Sequence, residues 1–97
     1  MALVNLKIRG ERKAGARLVQ LQIAKTQLTL VNDALDVRAR AGKEYWLYLV
    51  IEGKAGASMQ LRILTEDDKE LLKITHEETR IPLELGRNGG SFSFQVP

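Results

Sequence analysis

The side chains that could do chemistry begin with a sole histidine, His76, in a chain without cysteine. A zinc site needs several closely spaced His, Cys or acidic ligands, so a single histidine predicts none. A serine nucleophile would have to recruit the same His76, and no serine lies in the Gly-x-Ser-x-Gly setting of a nucleophile elbow. The serines concerned are Ser58, Ser91 and Ser93. The sequence therefore predicts no catalytic residue, no metal and no cofactor, and hence a protein that is not an enzyme.

Two segments superficially resemble ion-binding loops. The acidic run at 66–70 could place carboxylates around calcium, but the EF-hand pattern is absent, and we interpret the run as a solvated turn. Its acids are Glu66, Asp67, Asp68 and Glu70. Segment 53–58, Gly-Lys-Ala-Gly-Ala-Ser, does not have the order of a phosphate-binding P-loop and leads from one apolar run into another. We expect it to be a flexible connection between strands.

Basic residues are concentrated in the first half of the chain. Residues 1–43 carry nine Lys or Arg against three Asp or Glu, whereas residues 44–97 carry six against nine. Such a surface could neutralise nucleic-acid phosphates. Single-strand binders also use exposed aromatic platforms, and the basic half contains no Phe, Tyr or Trp. Nucleic-acid binding is therefore less favoured, and its candidate basic patch is Lys7, Arg9, Arg12, Lys13 and Arg17.

Aromatic residues cluster in the second half, at Tyr45, Trp46 and Tyr48. Aromatic rings on a rigid sheet can stack on sugar rings, which would suit a carbohydrate-binding module. Neighbouring residues of a strand point to opposite faces, so Tyr45 and Trp46 cannot share one platform. Core packing is the competing interpretation of these rings.

The elements that must position these residues are strands, because apolar residues recur with a period of two. Alternation predicts short strands separated by Gly-rich and Ala-rich connections, including 10–16 and 86–90. The apolar positions are Val4, Leu6 and Ile8; Val19, Leu21 and Ile23; Leu28 and Leu30; Leu35, Val37 and Ala39; Met59, Leu61 and Ile63; Ile81, Leu83 and Leu85; and Phe92, Phe94 and Val96. Eight or nine short strands predict an all-β antiparallel β-sandwich, jelly-roll-like, with a β-barrel as the alternative.

Residues 45–51 read Tyr-Trp-Leu-Tyr-Leu-Val-Ile without a polar interruption. A strand that is apolar on both faces is expected in the middle of a sheet, with one face in the core and the other covered. We expect a second copy or another protein to cover it. The candidate interface residues are Tyr45, Trp46, Tyr48 and Val50.

Segment 65–79 allows two interpretations. As a helix over 66–78, Thr65 is the N-cap and three acids favour the positive end of the helix dipole. As a hairpin, 66–69 forms the turn and Leu72 and Ile74 face inward. The hairpin is preferred because the helix would have few apolar anchors, but both remain open.

The length of 97 residues suits one domain with one core, spanning 1–97. Met1–Ile8 lacks the apolar run of a signal peptide, and no stretch approaches the roughly 18 apolar residues that span a bilayer. We therefore expect a cytoplasmic protein without membrane insertion. The predicted function is a non-enzymatic binding or structural module that acts through protein–protein contacts and self-associates. The alternatives are a carbohydrate-binding module using Trp46 and Tyr48, or a nucleic-acid-binding domain.

Overall fold

The computed structural model describes residues 2–97 and shows two antiparallel four-stranded sheets packed face to face. The strands are β1 (Leu3–Lys13), β2 (Arg17–Ile23), β3 (Thr26–Gln27), β4 (Ala34–Arg40), β5 (Glu44–Glu52), β6 (Ser58–Thr65), β7 (Glu70–Ile74) and β8 (Arg87–Gln95), with one short helix, α1 (His76–Thr79). The first sheet has the order β4-β1-β6-β7, and the second has the order β3-β2-β5-β8. The predicted β-sandwich is confirmed. Within residues 2–97 no helix is long and apolar enough to cross a membrane.

The alternative of a barrel with a helix at 66–78 is wrong, because the described strands form two separate sheets and most of this segment is a hairpin. β6 and β7 pair antiparallel, with Leu61 opposite Ile74, which is fully buried. The N-cap of the helix that does form lies ten residues later than the predicted cap. Thr75 is its N-cap, and its side chain accepts from the Glu78 N–H while the Glu78 carboxylate accepts from the Thr75 N–H.

Two segments that were predicted to be strands are not strands in the structure. Residues 81–85 form no strand, because 83–85 are a turn, Pro82 has no N–H to donate to a ladder, and Leu83 is 85% exposed. Leu28 and Leu30 pack against the core from a loop, because β3 ends at Gln27 and the chain then turns towards β4. In that turn Asn32 and Asp33 both have positive φ, of 53° and 58°.

The predicted connections at 10–16 and 86–90 are partly strand in the structure, because a glycine in each allows another residue to pack closely against the backbone. Gly10 lies within β1, where a Cβ would meet the Met59 Sδ-methyl group at 2.5 Å. Gly89 lies within β8, where a Cβ would overlap the Leu49 carbonyl oxygen of β5. Glycine at these positions therefore permits close packing rather than ending the strand.

The core lies between the sheets and follows the period of two. On β5 the inward residues Leu47, Leu49 and Ile51 are at most 1% exposed. They meet inward residues of β1 and β6 from the other sheet, which are Leu6, Ile8, Leu61 and Ile63. Burying each such side chain contributes about 1.5–3 kcal/mol, so the alternation of β5 is fixed by the core.

A buried threonine ties α1 to β6, and its loss is expected to destabilise the fold. The Thr79 hydroxyl donates to the Met59 carbonyl at 2.7 Å and accepts from the Met59 N–H at 2.8 Å, and the residue is 1% exposed. Thr79→Val leaves both backbone groups without a partner, so we expect a loss of about 1–3 kcal/mol. Urea unfolding of the wild type and the variant measures this loss in the free energy of unfolding. Thr29→Val at an exposed position is the matched control, with an expected change within about 0.5 kcal/mol. Equal effects of the two variants would contradict this role of Thr79.

Candidate functional site

The outer face of the second sheet carries exposed aromatic side chains. Trp46 and Tyr48 lie two residues apart on β5 and point to solvent, with 48% and 40% of their surface exposed. Val50 continues the row and is half-buried. Residues i and i+2 of a strand lie about 7 Å apart on one face, so the two rings form one short platform. We call this row, with its flanking polar residues, the aromatic face.

Polar, uncharged side chains flank the row on both neighbouring strands. Gln22 of β2 lies opposite Tyr48 and Gln20 opposite Val50, so both amides share the face of the rings. On the other side Ser91 of β8 lies opposite Tyr48, and Ser93 opposite Trp46. The Gln20 amide nitrogen donates to the Gln22 side-chain oxygen at 3.4 Å, and Gln22 donates to the Ala24 carbonyl at 3.0 Å.

These residues line an open cleft of about 810 Å³. Six of its thirteen lining residues belong to the aromatic face, and the charged residues Lys25, Lys43 and Glu44 also line it. The central side chains are aromatic, amide and hydroxyl groups without formal charge. Such a surface suits a neutral ligand that has both apolar faces and hydroxyl groups.

Tyr45, grouped with the interface by sequence, lies on the inner face instead. Its ring stacks on Phe94 with centroids 5.9 Å apart, and its hydroxyl accepts from the Arg40 N–H at 2.9 Å. Both rings line a second, mainly apolar cavity of about 220 Å³ near β3 and β4. The structure therefore brings together Trp46, Tyr48 and Val50, and places Tyr45 in the packing beneath them.

The candidate basic patch lies among carboxylates. Four of its five cations form ion pairs, and in three of these the nitrogen–oxygen distances are 3.0, 2.6 and 2.8 Å. The pairs are Lys7 with Asp68, Arg9 with Asp36, Arg12 with Asp33, and Arg17 with Glu52. Within residues 2–97 Lys13 has no ion pair. Because each pair brings an anion beside a cation, the local positive potential available to a phosphate backbone is reduced.

The structure does bring a serine to the sole histidine. The Ser58 Oγ lies 2.8 Å from His76 Nδ1, and His76 Nε2 lies 3.5 Å from a carboxylate oxygen of Glu11. A nucleophile must be reached by its substrate, yet Ser58 is 3% exposed and lines none of the cavities described above. We interpret the three residues as a polar link between β1, β6 and the start of α1.

The acidic side chains at 66–70 do not converge. Each accepts from a different neighbour, and in the described part of the chain no three His, Asp or Glu side chains are placed to hold a metal ion. The donors are Asn5 for Glu66, Thr65 for Asp67, Lys7 for Asp68 and Arg62 for Glu70. The turn is organised by these separate contacts.

Comparison with known proteins adds no relative. No family model, no curated protein and no solved structure matches this chain. The site is therefore defined by its own geometry.

Sequence reasoning missed the polar flanks of the aromatic face. Alternation does place Gln20 and Gln22 outward, but nothing in the sequence says that β2 and β8 are the neighbours of β5. The prediction that Val19 faces the core is also wrong. A bulge between Leu18 and Gln20 leaves Val19 42% exposed.

The acidic turn generates a prediction about pH. The Thr65 hydroxyl, followed by the backbone N–H of Asp67 itself and by nearby lysines, holds the pKa of Asp67 below its ordinary value. A carboxyl whose pKa is depressed in the folded state stabilises the protein above its unfolded pKa and loses this contribution as the pH falls through the folded pKa. We therefore expect Asp67→Asn to be less stable than the wild type at pH 6, with the difference shrinking towards pH 2.5.

Chemical denaturation across this pH range measures the difference. Glu77→Gln is the matched control, because it removes one carboxylate for which no side-chain hydrogen bond is found among residues 2–97. A gap between wild type and Asp67→Asn that stays constant from pH 6 to pH 2.5 would contradict the assignment.

Proposed function

We propose that the protein is a non-enzymatic binding module that holds a neutral carbohydrate chain on its aromatic face. The observation that carries the proposal is the exposure of Trp46 and Tyr48 side by side on a central strand. Neither ring is needed in the core, since Leu47 and Leu49 occupy the inner positions beside them.

The two outer faces of the sandwich differ in chemistry. The first sheet has charged side chains on its outer face, including Arg9 beside Arg62 and Asp36 near Lys7. This is the ordinary solvated surface of an antiparallel sheet. The second sheet instead exposes Trp46 and Tyr48 between amides and hydroxyls. A ligand that covers large exposed aromatic groups lowers the free energy of the system, by about 25 cal/mol per Å² of apolar area removed from water.

A sugar ring matches this arrangement at each point. Its axial C–H groups form an apolar face that can stack on Trp46 and Tyr48, which have the amphipathic character that suits such contacts. Its hydroxyls can donate to and accept from the amides of Gln20 and Gln22, each of which offers both functions. The absence of formal charge among these central side chains favours a neutral glycan over an acidic one.

Face-to-face self-association is a poorer match for the same surface. A stable protein interface buries about 800 Å² on each partner, with an apolar centre. The aromatic face offers Trp46, Tyr48 and Val50 as large apolar groups, surrounded by Gln and Ser side chains. That composition resembles a ligand cleft with a few polar groups more than the centre of a dimer.

Trp46 is the sole tryptophan, so all tryptophan emission reports on the proposed site. We expect a saturable change in emission intensity or wavelength when neutral hexasaccharides are titrated, such as cellohexaose, xylohexaose, laminarihexaose or mannohexaose. Calorimetry then compares the aromatic variants, since Trp46→Ala lacks the tryptophan that reports binding by fluorescence. Trp46→Ala and Tyr48→Ala should each weaken binding by about tenfold or more, equivalent to about 1.4 kcal/mol.

A matched pair of glutamine variants locates the site. Gln20→Ala removes an amide from the aromatic face and should weaken binding, whereas Gln60→Ala removes one from the first sheet and should leave binding unchanged. Emission that ignores every neutral glycan at millimolar concentration would refute the proposal. So would a glycan that binds Trp46→Ala as tightly as the wild type.

A further inference from the structure

Three of the four sheet edges carry features that discourage pairing with another strand. β3 is two residues long. β4 carries the charged residues Asp36, Arg38 and Arg40. β7 is five residues long, contains Glu70 and Lys73, and has a bulge against β6.

The fourth edge, β8, has none of these features along most of its length. It is nine residues long, and after Arg87 its sequence Asn-Gly-Gly-Ser-Phe-Ser-Phe-Gln contains no charge and no proline. Its register with β5 runs without a bulge from Gln95 opposite Glu44 to Arg87 opposite Glu52. Among the described residues β8 pairs with β5 alone, so its second edge has no strand partner.

The hydrogen bonds at both ends of β8 show which backbone groups face that edge. The Val96 N–H donates to the Lys43 carbonyl at 2.9 Å, and the Gly53 N–H donates to the Gly86 carbonyl at 3.1 Å. Backbone groups alternate in an antiparallel ladder, so the even-numbered residues of β8 bond to β5 and the odd-numbered residues point away. The Gly89 N–H donates to the Asn88 side-chain oxygen at 2.8 Å. Beyond Gly89, the backbone N–H and carbonyl groups directed at the open edge therefore belong to Ser91, Ser93 and Gln95.

We infer that a second copy of this chain pairs with this edge, β8 against β8, in antiparallel orientation. An antiparallel two-fold arrangement gives each copy the same contacts. In this arrangement Arg87, the one charged residue of β8, lies near Gln95 of the second copy and away from the second copy's Arg87. Small side chains at Ser91 and Ser93 leave the approach of the second backbone unobstructed.

The pairing also extends the proposed site. The two-fold axis is perpendicular to the sheet, so both aromatic faces lie on the same side of one eight-stranded sheet. The two β5 strands are then separated by three strand spacings, about 14 Å. A single glycan chain would meet two platforms and gain from their linkage. This consequence rests on the proposed glycan binding, whereas the pairing itself does not.

Amide hydrogen exchange on the unmodified protein tests the pairing residue by residue. Light scattering at rising concentration should show a dimer, and NMR should show exchange at Ser91, Ser93 and Gln95 that slows at least tenfold from dilute to concentrated samples. Phe92 and Phe94 bond to β5, so their exchange should stay slow at both concentrations. A monomer at 0.5 mM, or a dimer in which the three amides remain unprotected, would overturn the inference.

Two substitutions at one position provide the matched variants. Ser93→Pro removes an N–H that faces the open edge and keeps the ladder to β5, so it should abolish the dimer. Ser93→Ala keeps the N–H and should remain dimeric. If Ser93→Pro fails to fold, Ser93→Lys places a charge on the edge and should weaken dimerisation at least tenfold. A dimer unaffected by either change would also overturn the inference. None of these measurements uses sugar, so their outcome is independent of glycan binding.

Discussion

The inner positions of β5 are occupied by Leu47, Leu49 and Ile51. The packing of these three side chains against the first sheet holds the two sheets together. β5 also pairs with β2 on one side and β8 on the other, so it holds the second sheet together laterally. Truncating any one of the three to alanine would remove about 2–5 kcal/mol, a large fraction of the stability of a domain this size. The orientation of every residue on β5 follows from this packing.

Every second residue of β5 packs in the core, so the residues between them do not have to pack there. Trp46, Tyr48 and Val50 point outward by the same pleat that points Leu47, Leu49 and Ile51 inward. A one-residue slip of β5 would exchange the two sets and bury Trp46 at the cost of exposing leucines. The stability of the core and the exposure of the platform are therefore two consequences of one register.

Much of this arrangement could be predicted from the sequence, since a period of two identifies strands wherever a strand buries one face. The β6–β7 hairpin was the preferred interpretation of segment 65–79 for a different reason, since a helix there would have few apolar anchors. Predictions failed where neighbours decide the structure. Gly89 was expected in a connection between strands, yet it allows β8 to lie close to β5, and that approach depends on Leu49, forty residues earlier.

The site shows the same division between local and long-range information. Alternation places Trp46 and Tyr48 on one face, but their polar neighbours come from β2 and β8, and only the sheet order brings these strands together. The contact between Ser58 and His76 likewise depends on where α1 packs. Contacts between residues far apart in sequence carry no periodic signal, so pattern analysis identifies elements and faces better than sites.

The charge asymmetry of the chain has a structural explanation in the same long-range contacts. Lys7 of the basic half meets Asp68 of the acidic half, and Arg17 meets Glu52, because antiparallel pairing brings distant segments of opposite sign together. Exposed pairs of this kind contribute little stability, about 0–1 kcal/mol each. They do balance charge across the first sheet and on the flank of the second, while the centre of the aromatic face and the edge of β8 over residues 88–95 contain no ion pair. The two surfaces assigned here to a glycan and to a second copy are therefore those on which desolvating a charge would not oppose binding.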